Sequence, residues 1–106
     1  PTITDCVFLT NKGNGASFVR NAKGEFRRNV CQNTGFGIAI GDNSAPLLAE
    51  NRIFENRSGI VINGSARPVL RLNVVERNTE VGVYALQGGI PNLGSSQDPG
   101  GNVIQN

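Results

Sequence analysis

An asparagine that recurs every 22 residues constrains the fold of this chain more than any other sequence feature. Asn29, Asn51 and Asn73 keep this interval, and each follows an apolar residue three positions earlier. Those apolar residues, which recur with the same period, are Phe26, Leu48 and Leu70. A fixed period in this range predicts a solenoid, in which each repeat is one structural unit packed on the next.

The residues within one repeat indicate short β-strands. In the central repeat, apolar residues fall at 47–48, 53–54 and 60–62, and Asn or Gly separates these segments. Ile60 and Ile62 are two residues apart, which is the period of a strand and not of a helix. Three short strands and three corners in about 22 residues describe one triangular coil. The sequence therefore predicts an all-β chain that folds as a parallel β-helix of about four to five coils.

The whole chain, residues 1–106, is predicted to be one β-helix domain or a piece of a longer one. The predicted coils are 1–24, 25–45, 46–67 and 68–89, followed by an atypical last coil, 90–106. The last coil begins with a stretch rich in Gly, Ser and Pro and is expected to regain the pattern only at Asn102.

The alignment of the repeats assigns side chains to the interior and to the corners. The second strands are expected to point inward through Val7, Cys31, Ile53 and Val75. The first corner is predicted to carry stacked amides on Asn29, Asn51, Asn73 and Asn102, with Asp5 at the matching position of the first coil. The second corner is predicted to carry Asn11, Asn33, Asn56 and Asn78, and the corner before the third strand is predicted to need a glycine, at Gly15, Gly37, Gly59 and Gly82. Asn tolerates left-handed backbone, and its amide both donates and accepts, so stacked amides can form a hydrogen-bonded ladder.

Composition excludes several classes of function. The net charge of +2 comes from scattered basic and acidic residues, without a basic run, so we expect no nucleic-acid partner. No apolar stretch is long enough for a membrane helix, and we expect no membrane contact. With no His and no CxxC motif, we predict neither a metal nor a cofactor. Cys6 and Cys31 align to opposite faces, so we expect free thiols.

The unit P-x-L-x-x-N-x-I-x-x-N-x-x-G-I-x-V, at residues 46–62, resembles right-handed parallel β-helix repeats of the pectin-lyase-like superfamily. The tail Pro91-Asn92-Leu93-Gly94 and the residues 98–103 resemble a bacterial β-helix family of unassigned function. The resemblance implies right-handed winding and, if it holds, an extracellular or cell-surface protein; the residues alone leave the compartment open. Because the matching residues belong to the core and the corners, the resemblance bears on the fold and not on a reaction.

Two features could bind a ligand. By the repeat alignment, Arg27, Arg28, Glu50 and Arg71 form a polar face that could hold an acidic sugar. The alternative is that they form exposed ion pairs between coils, which contribute little. Tyr84 is predicted to point outward, either as a platform for a sugar ring or beneath the 90–101 segment.

Three functions remain open from the sequence. The favoured one is a non-catalytic module, structural or carbohydrate-binding, with polysaccharide as the expected ligand. The second is the remnant of a polysaccharide lyase, hydrolase or epimerase that acts on acidic polysaccharide. The third is a repeat protein that associates end to end with further coils or copies. No two carboxylates align in adjacent coils at one strand position, which disfavours calcium-dependent lysis and leaves the question of catalysis open, leaning towards none.

Overall fold

A computed structural model describes residues 2–106, and these form thirteen short β-strands without a helix. The strands of the first two coils are β1 (Thr2–Thr4), β2 (Val7–Leu9), β3 (Asn14–Phe18), β4 (Glu25–Arg27), β5 (Val30–Gln32) and β6 (Phe36–Ile40). The remaining strands are β7 (Leu47–Ala49), β8 (Arg52–Phe54), β9 (Ser58–Ile62), β10 (Val69–Arg71), β11 (Val74–Glu76), β12 (Val81–Ala85) and β13 (Val103–Gln105).

The strands form three parallel sheets that the chain visits in turn. The first face has the order β1-β4-β7-β10, the second β13-β11-β8-β5-β2 and the third β12-β9-β6-β3. Through the first four coils, each strand pairs with the strand three places further along the chain, so one coil contributes one strand to each face. This is a parallel β-helix with three strands per coil, and the predicted fold class is confirmed.

The core is a narrow apolar column inside the three sheets. Its fully buried members are Phe26, Cys31, Ile38, Leu48, Ile53, Ile60, Ile62, Ala66, Leu70 and Val75. The expectation for Val7 is wrong, because Phe8 is the residue paired with Cys31, while Val7 pairs with Val30 and is exposed. The first coil is one residue longer than the second and third, since Thr2 pairs with Glu25, Glu25 with Leu47 and Leu47 with Val69, and this shifts the alignment.

Two corner positions also differ from the expectation by one residue. The N–H of Cys6, and not of Asp5, donates to Oδ1 of Asn29 at 2.8 Å. At the second corner, the N–H of Thr34 donates to Oδ1 of Asn56 at 2.9 Å, so Thr34 takes the place expected for Asn33. The position in the coil, and not the residue type, decides which side chain turns inward.

The asparagines of the first corner are hydrogen-bonded from coil to coil. Oδ1 of Asn51 accepts from the N–H of Asn29 at 2.9 Å, while its Nδ2 donates to the carbonyl oxygen of Phe26 at 2.8 Å. Nδ2 of Asn51 also donates to Oδ1 of Asn73 at 2.9 Å, and Asn73 repeats the arrangement with Asn102. At the corner, backbone N–H and C=O groups leave the sheets and lose their partners there. Each asparagine amide hydrogen-bonds these groups, as buried backbone groups require.

Left-handed backbone falls on the residue before each ladder asparagine and not on the asparagine itself. Arg28, Glu50 and Leu72 have φ of 52°, 58° and 58°, whereas the asparagines that follow them are not among the residues with positive φ. This corrects the expected reason for Asn at these positions. Asn is required there for the hydrogen bonds of its amide.

Glycine at the start of the third strand is required by the packing of neighbouring coils. A Cβ on Gly59 would lie 2.4 Å from the carbonyl oxygen of Gly82 and 2.7 Å from Cγ1 of Val75. A Cβ on Gly37 would meet the carbonyl oxygen of Gly59 at 2.7 Å and Ile53 at 2.6 Å. The glycines are therefore required as predicted, but they are the second residue of each third strand and do not lie in the corner before it.

The last coil regains the pattern earlier than expected. The N–H of Leu70 donates to the carbonyl oxygen of Asn92 at 2.9 Å, and Asn92 forms an isolated parallel bridge with Val69. The chain then leaves the stack after Leu93 and returns at Gly100, whose carbonyl oxygen accepts from the N–H of Leu72 at 2.7 Å. It continues through Asn102 to β13, which pairs with β11. The insertion is therefore a loop within the coil, referred to below as the 94–100 loop.

Candidate functional site

The arginines predicted to form a binding face are each paired with a carboxylate. Nε of Arg27 lies 2.6 Å from Oε1 of Glu25, and Nε of Arg28 lies 2.9 Å from Oδ1 of Asp5. Oε1 of Glu50 is 4.0 Å from a guanidinium nitrogen of each of these two arginines. The structure therefore brings Arg27, Arg28 and Glu50 together as the sequence predicts, within a network that adds Asp5 and Glu25.

Arg71 holds the 94–100 loop. Its Nη2 lies 2.6 Å from Oδ2 of Asp98, and its Nη1 donates to the carbonyl oxygen of Asn92 at 3.0 Å. Only 16% of the Arg71 side chain is exposed, compared with 69% for Asp98. The hydrogen bonds of this guanidinium are directed at the protein itself.

In these ion pairs the positive charge of each arginine on the predicted face is compensated by a carboxylate. The hydrogen bond from Arg28 lowers the pKa of Asp5 below its ordinary value, and the hydrogen bond from Arg71 does the same for the pKa of Asp98. The three arginines face four carboxylates, which are Asp5, Glu25, Glu50 and Asp98. An anionic ligand would have to displace carboxylates that already accept these hydrogen bonds.

Tyr84 lies apart from the arginines, on the outer surface of the third face. It pairs in register with Val61, its side chain points away from the core, and 50% of the residue is exposed. The 94–100 loop is attached to the end of the first face through Arg71 and Asn92, so Tyr84 is not beneath it. Of the two alternatives for Tyr84, the structure therefore supports an exposed side chain and not one buried beneath the loop.

Around Tyr84 the outer surface of the third face carries both apolar and polar side chains and forms a hollow of about 250 Å³. We name it the aromatic face, and its residues are Phe36, Arg57, Ser58, Val61, Asn63, Glu80, Val81, Tyr84 and Leu86. Two smaller hollows continue from it along neighbouring coils, and both are also lined by Phe36. A larger hollow of about 450 Å³ lies beside the exit of the last coil, lined by residues 90–94 with Arg67 and Val69, and it has no aromatic side chain.

Polar side chains of the aromatic face are oriented by local contacts. The guanidinium carbon of Arg57 lies 5.4 Å from the ring centre of Phe36, and Nε of Arg57 lies 3.8 Å from Oε1 of Glu80. Asn63 packs its amide against Gly41, where a Cβ would lie 2.8 Å from Oδ1 of Asn63. Apolar rings bordered by a few fixed polar groups are typical of small-molecule and sugar sites.

The second face has an outward phenylalanine that is covered. Arg52 and Arg77 lie over the ring of Phe54 at 4.6 and 5.5 Å, and only 9% of Phe54 is exposed. Glu76 is within 3.7 Å of Arg52 and 3.3 Å of Arg77. The aromatic face differs from this arrangement. Its arginine, Arg57, lies over Phe36 and leaves the ring of Tyr84 exposed to solvent.

Sequence reasoning identified Tyr84 but missed Phe36, Arg57 and Asn63. A signal was present, because the third strands carry apolar residues at outward as well as inward positions, as Val61 and Tyr84 show. Such residues on the solvent side of a sheet mark a candidate interaction surface.

The comparison with protein families decides the identity of the fold. The model of the family described as "right handed beta helix region" matches residues 1–98. The chain belongs to the right-handed β-helix family. Comparison with curated proteins gave no match, and comparison with solved structures gave none.

Membership of the right-handed β-helix family adds the handedness of the coils to the parallel pairing described above. It is consistent with the wider pectin-lyase-like resemblance. It does not identify a catalytic activity, since the residues that define such repeats are those of the core and corners.

The two cysteines of this right-handed β-helix are not joined in a disulfide. Cys31 is buried, which raises its pKa to about 12, and Cys6 is exposed; both are free, as predicted. Within residues 2–106, no group of three or more His, Cys, Asp or Glu side chains is placed to hold a metal ion. Over the same residues, no helix of the length and hydropathy that a membrane crossing requires is found.

Proposed function

We propose that this right-handed β-helix is a non-catalytic carbohydrate-binding module and that it holds a glycan on the aromatic face. The observation that carries the proposal is the pair of outward rings, Phe36 and Tyr84, around one hollow with polar neighbours. Aromatic side chains contribute a large apolar surface at small entropic cost, which suits stacking on the C–H face of a sugar ring.

The spacing of the rings suits an extended ligand. Phe36 lies on β6 and Tyr84 on β12, with β9 between them, so their strands are two spacings apart, about 9.6 Å. The residue of β12 in register with Phe36 is Val81, so Tyr84 also lies three residues, or about 10 Å, further along the strand direction. The parallel sheets hold this separation rigidly, because every coil is hydrogen-bonded to the next. A glycan that runs obliquely across the strands could stack one sugar ring on Tyr84 and contact Phe36 beside the Arg57 guanidinium.

The acidic residues of the aromatic face favour binding over hydrolysis. Glycoside hydrolysis requires two carboxyl groups about 5 to 10 Å apart on either side of the bond that is cleaved. Glu80 is the one carboxylate that lines the 250 Å³ hollow, and Arg57 lies beside it. A single paired carboxylate cannot supply both the acid and the base or nucleophile.

The test is a titration of ¹⁵N-labelled protein with oligosaccharides, neutral and acidic, followed by NMR. We expect chemical-shift changes to centre on residues 36, 61 and 84, without release of product. Tyr84→Ala should weaken binding about tenfold, equivalent to about 1.4 kcal/mol. Circular dichroism should show an unchanged fold, since the Tyr84 side chain lies outside the core.

Arg28→Ala is the matched control, because it removes an exposed side chain from the face that the sequence favoured. Binding that is lost with Arg28→Ala and retained with Tyr84→Ala would overturn the proposal in favour of the arginine face. Release of reducing or unsaturated sugar would restore the enzyme alternative. Sedimentation in which mass rises with concentration would support end-to-end association, which stays a prediction.

A further inference from the structure

We infer that the glycan held on the aromatic face is uncharged; this inference rests on the proposed function and specifies its ligand. The first step is the charge of the face. Its two ionisable side chains of opposite sign, Arg57 and Glu80, lie 3.8 Å apart and compensate each other. The rest of the hollow is lined by neutral side chains.

The second step concerns the groups that remain free to bind a ligand. Within residues 2–106, the side-chain amide of Asn63 and the hydroxyls of Ser58 and Tyr84 make no hydrogen bond to the protein. These groups both donate and accept, and they match the hydroxyl groups of a neutral sugar. A site built from neutral donors and acceptors offers no cation to offset the cost of removing a ligand carboxylate from water.

The third step is the position of the cations that lack a carboxylate. Four cationic groups of the described residues form no salt bridge within 4.0 Å, and they belong to Lys12, Arg20, Lys23 and Arg67. None of the four lines the 250 Å³ hollow, and Lys12 only borders the adjoining smaller one. A uronic acid bound between Phe36 and Tyr84 would therefore meet the Glu80 carboxylate without an unpaired cation to balance it.

The experiment compares two oligosaccharides of equal length and linkage, one of neutral hexoses and one of the corresponding hexuronates. We expect the neutral compound to bind about tenfold more tightly by calorimetry. Its affinity should not change between about 0.05 and 0.5 M NaCl, because screening acts on charged ligands.

Two variants examine the physical basis. Asn63→Ala should weaken the neutral compound about tenfold by removing the free amide. Glu80→Gln should shift the ratio of hexuronate to hexose affinity about tenfold towards the hexuronate, because it leaves Arg57 without its partner. If the ratio of hexuronate to hexose affinity is the same in Glu80→Gln as in the parent protein, the Glu80 carboxylate does not disfavour charged ligands, and the inference is contradicted.

The outcomes separate the inference from the proposed function. Equal or tighter binding of the hexuronate, lost in Tyr84→Ala, overturns the inference and leaves carbohydrate binding at the aromatic face intact. Binding of neither compound overturns both. Preference for the neutral compound, with salt-independent affinity and loss in Asn63→Ala, supports both.

Discussion

The two sides of the first corner differ although they are one residue apart in the chain. On the inner side, every coil from the second to the last places an asparagine, and those within the central coils are buried and fully hydrogen-bonded. On the outer side, the preceding residues are all exposed or half-exposed and chemically unrelated. In the first four coils these outer residues are Asp5, Arg28, Glu50 and Leu72, and all have φ between 52° and 58°. In the last coil the residue before Asn102 is Gly101, with a φ of 66°.

The difference shows that the inner residues determine the backbone conformation of the corner, whereas the outer residues only adopt it. The inner amides supply hydrogen bonds that nothing else in the core could replace, so one residue type recurs. The outer residues accept a left-handed conformation that costs a non-glycine residue about 1 kcal/mol, and the inner bonds outweigh this cost. Side chains on the outer side are then free to vary.

The sharpest test of this difference places the same residue on either side of the corner. Asn51→Gly should lower the free energy of unfolding by about 3 to 5 kcal/mol, because it leaves the buried N–H of Asn29 and carbonyl of Phe26 unpaired. Glu50→Gly should change it by at most about 1 kcal/mol, and towards stability, because glycine adopts a φ of 58° without strain. Urea denaturation measures both, and equal losses would contradict the distinction.

A second test concerns glycines that face the inside and the outside of the stack. Gly59→Ala should destabilise the protein by about 2 to 3 kcal/mol, because a Cβ would press on the backbone of Gly82 and on Val75. Gly13→Ala is the control, since a Cβ there meets nothing within 4 Å, and we expect a change below about 0.5 kcal/mol. A thermal melt in which Gly13→Ala loses as much as Gly59→Ala would refute the packing account.

The smallest effect is expected from pH, which acts on exposed carboxylates and not on the corner amides. The pKa of Asp5 and of Asp98 is lowered in the folded protein, so their ion pairs stabilise it above the pKa of the unfolded chain. This contribution is lost as the pH falls through the lowered folded value, whereas the asparagine bonds have no group that titrates.

Carboxyl chemical shifts followed from neutral to acidic pH should report the two lowered values. Arg28→Ala should return the pKa of Asp5 towards 3.8 and leave that of Asp98 in place, because Asp98 pairs with Arg71. An Asp5 carboxyl that titrates at or above its ordinary value in the parent protein would mean that its ion pair does not persist in solution.

Much of the fold could be predicted because one period acts on core and corner together. The interval of 22 residues placed Leu48 against Leu70 and Ile53 against Val75, and the structure pairs them in this register. The prediction failed where the interval changed. The extra residue of the first coil moved Phe8 inward in place of Val7, and residue type was a poor guide where Thr34 replaced asparagine.

The candidate site was predictable only in part. The period correctly stacked Arg28 near Glu50, since both belong to one corner of adjacent coils. It could not show that Asp98 reaches Arg71, because this pair is made by a loop that departs from the repeat. The aromatic face depends on Arg57, whose side chain leaves a corner and lies over Phe36 in a neighbouring coil. The spacing of residues along the sequence does not contain this side-chain direction.

The sequence by itself determined the solenoid, its three strands per coil and the inner residues of the regular coils. A repeated pattern of apolar residues, Asn and Gly can bury its core in essentially one way, so local spacing is sufficient. Only the tertiary structure decided which outer surface is open to a ligand. Exposure there depends on whether a neighbouring long side chain covers a ring, as Arg52 and Arg77 cover Phe54, or leaves it free, as at Tyr84.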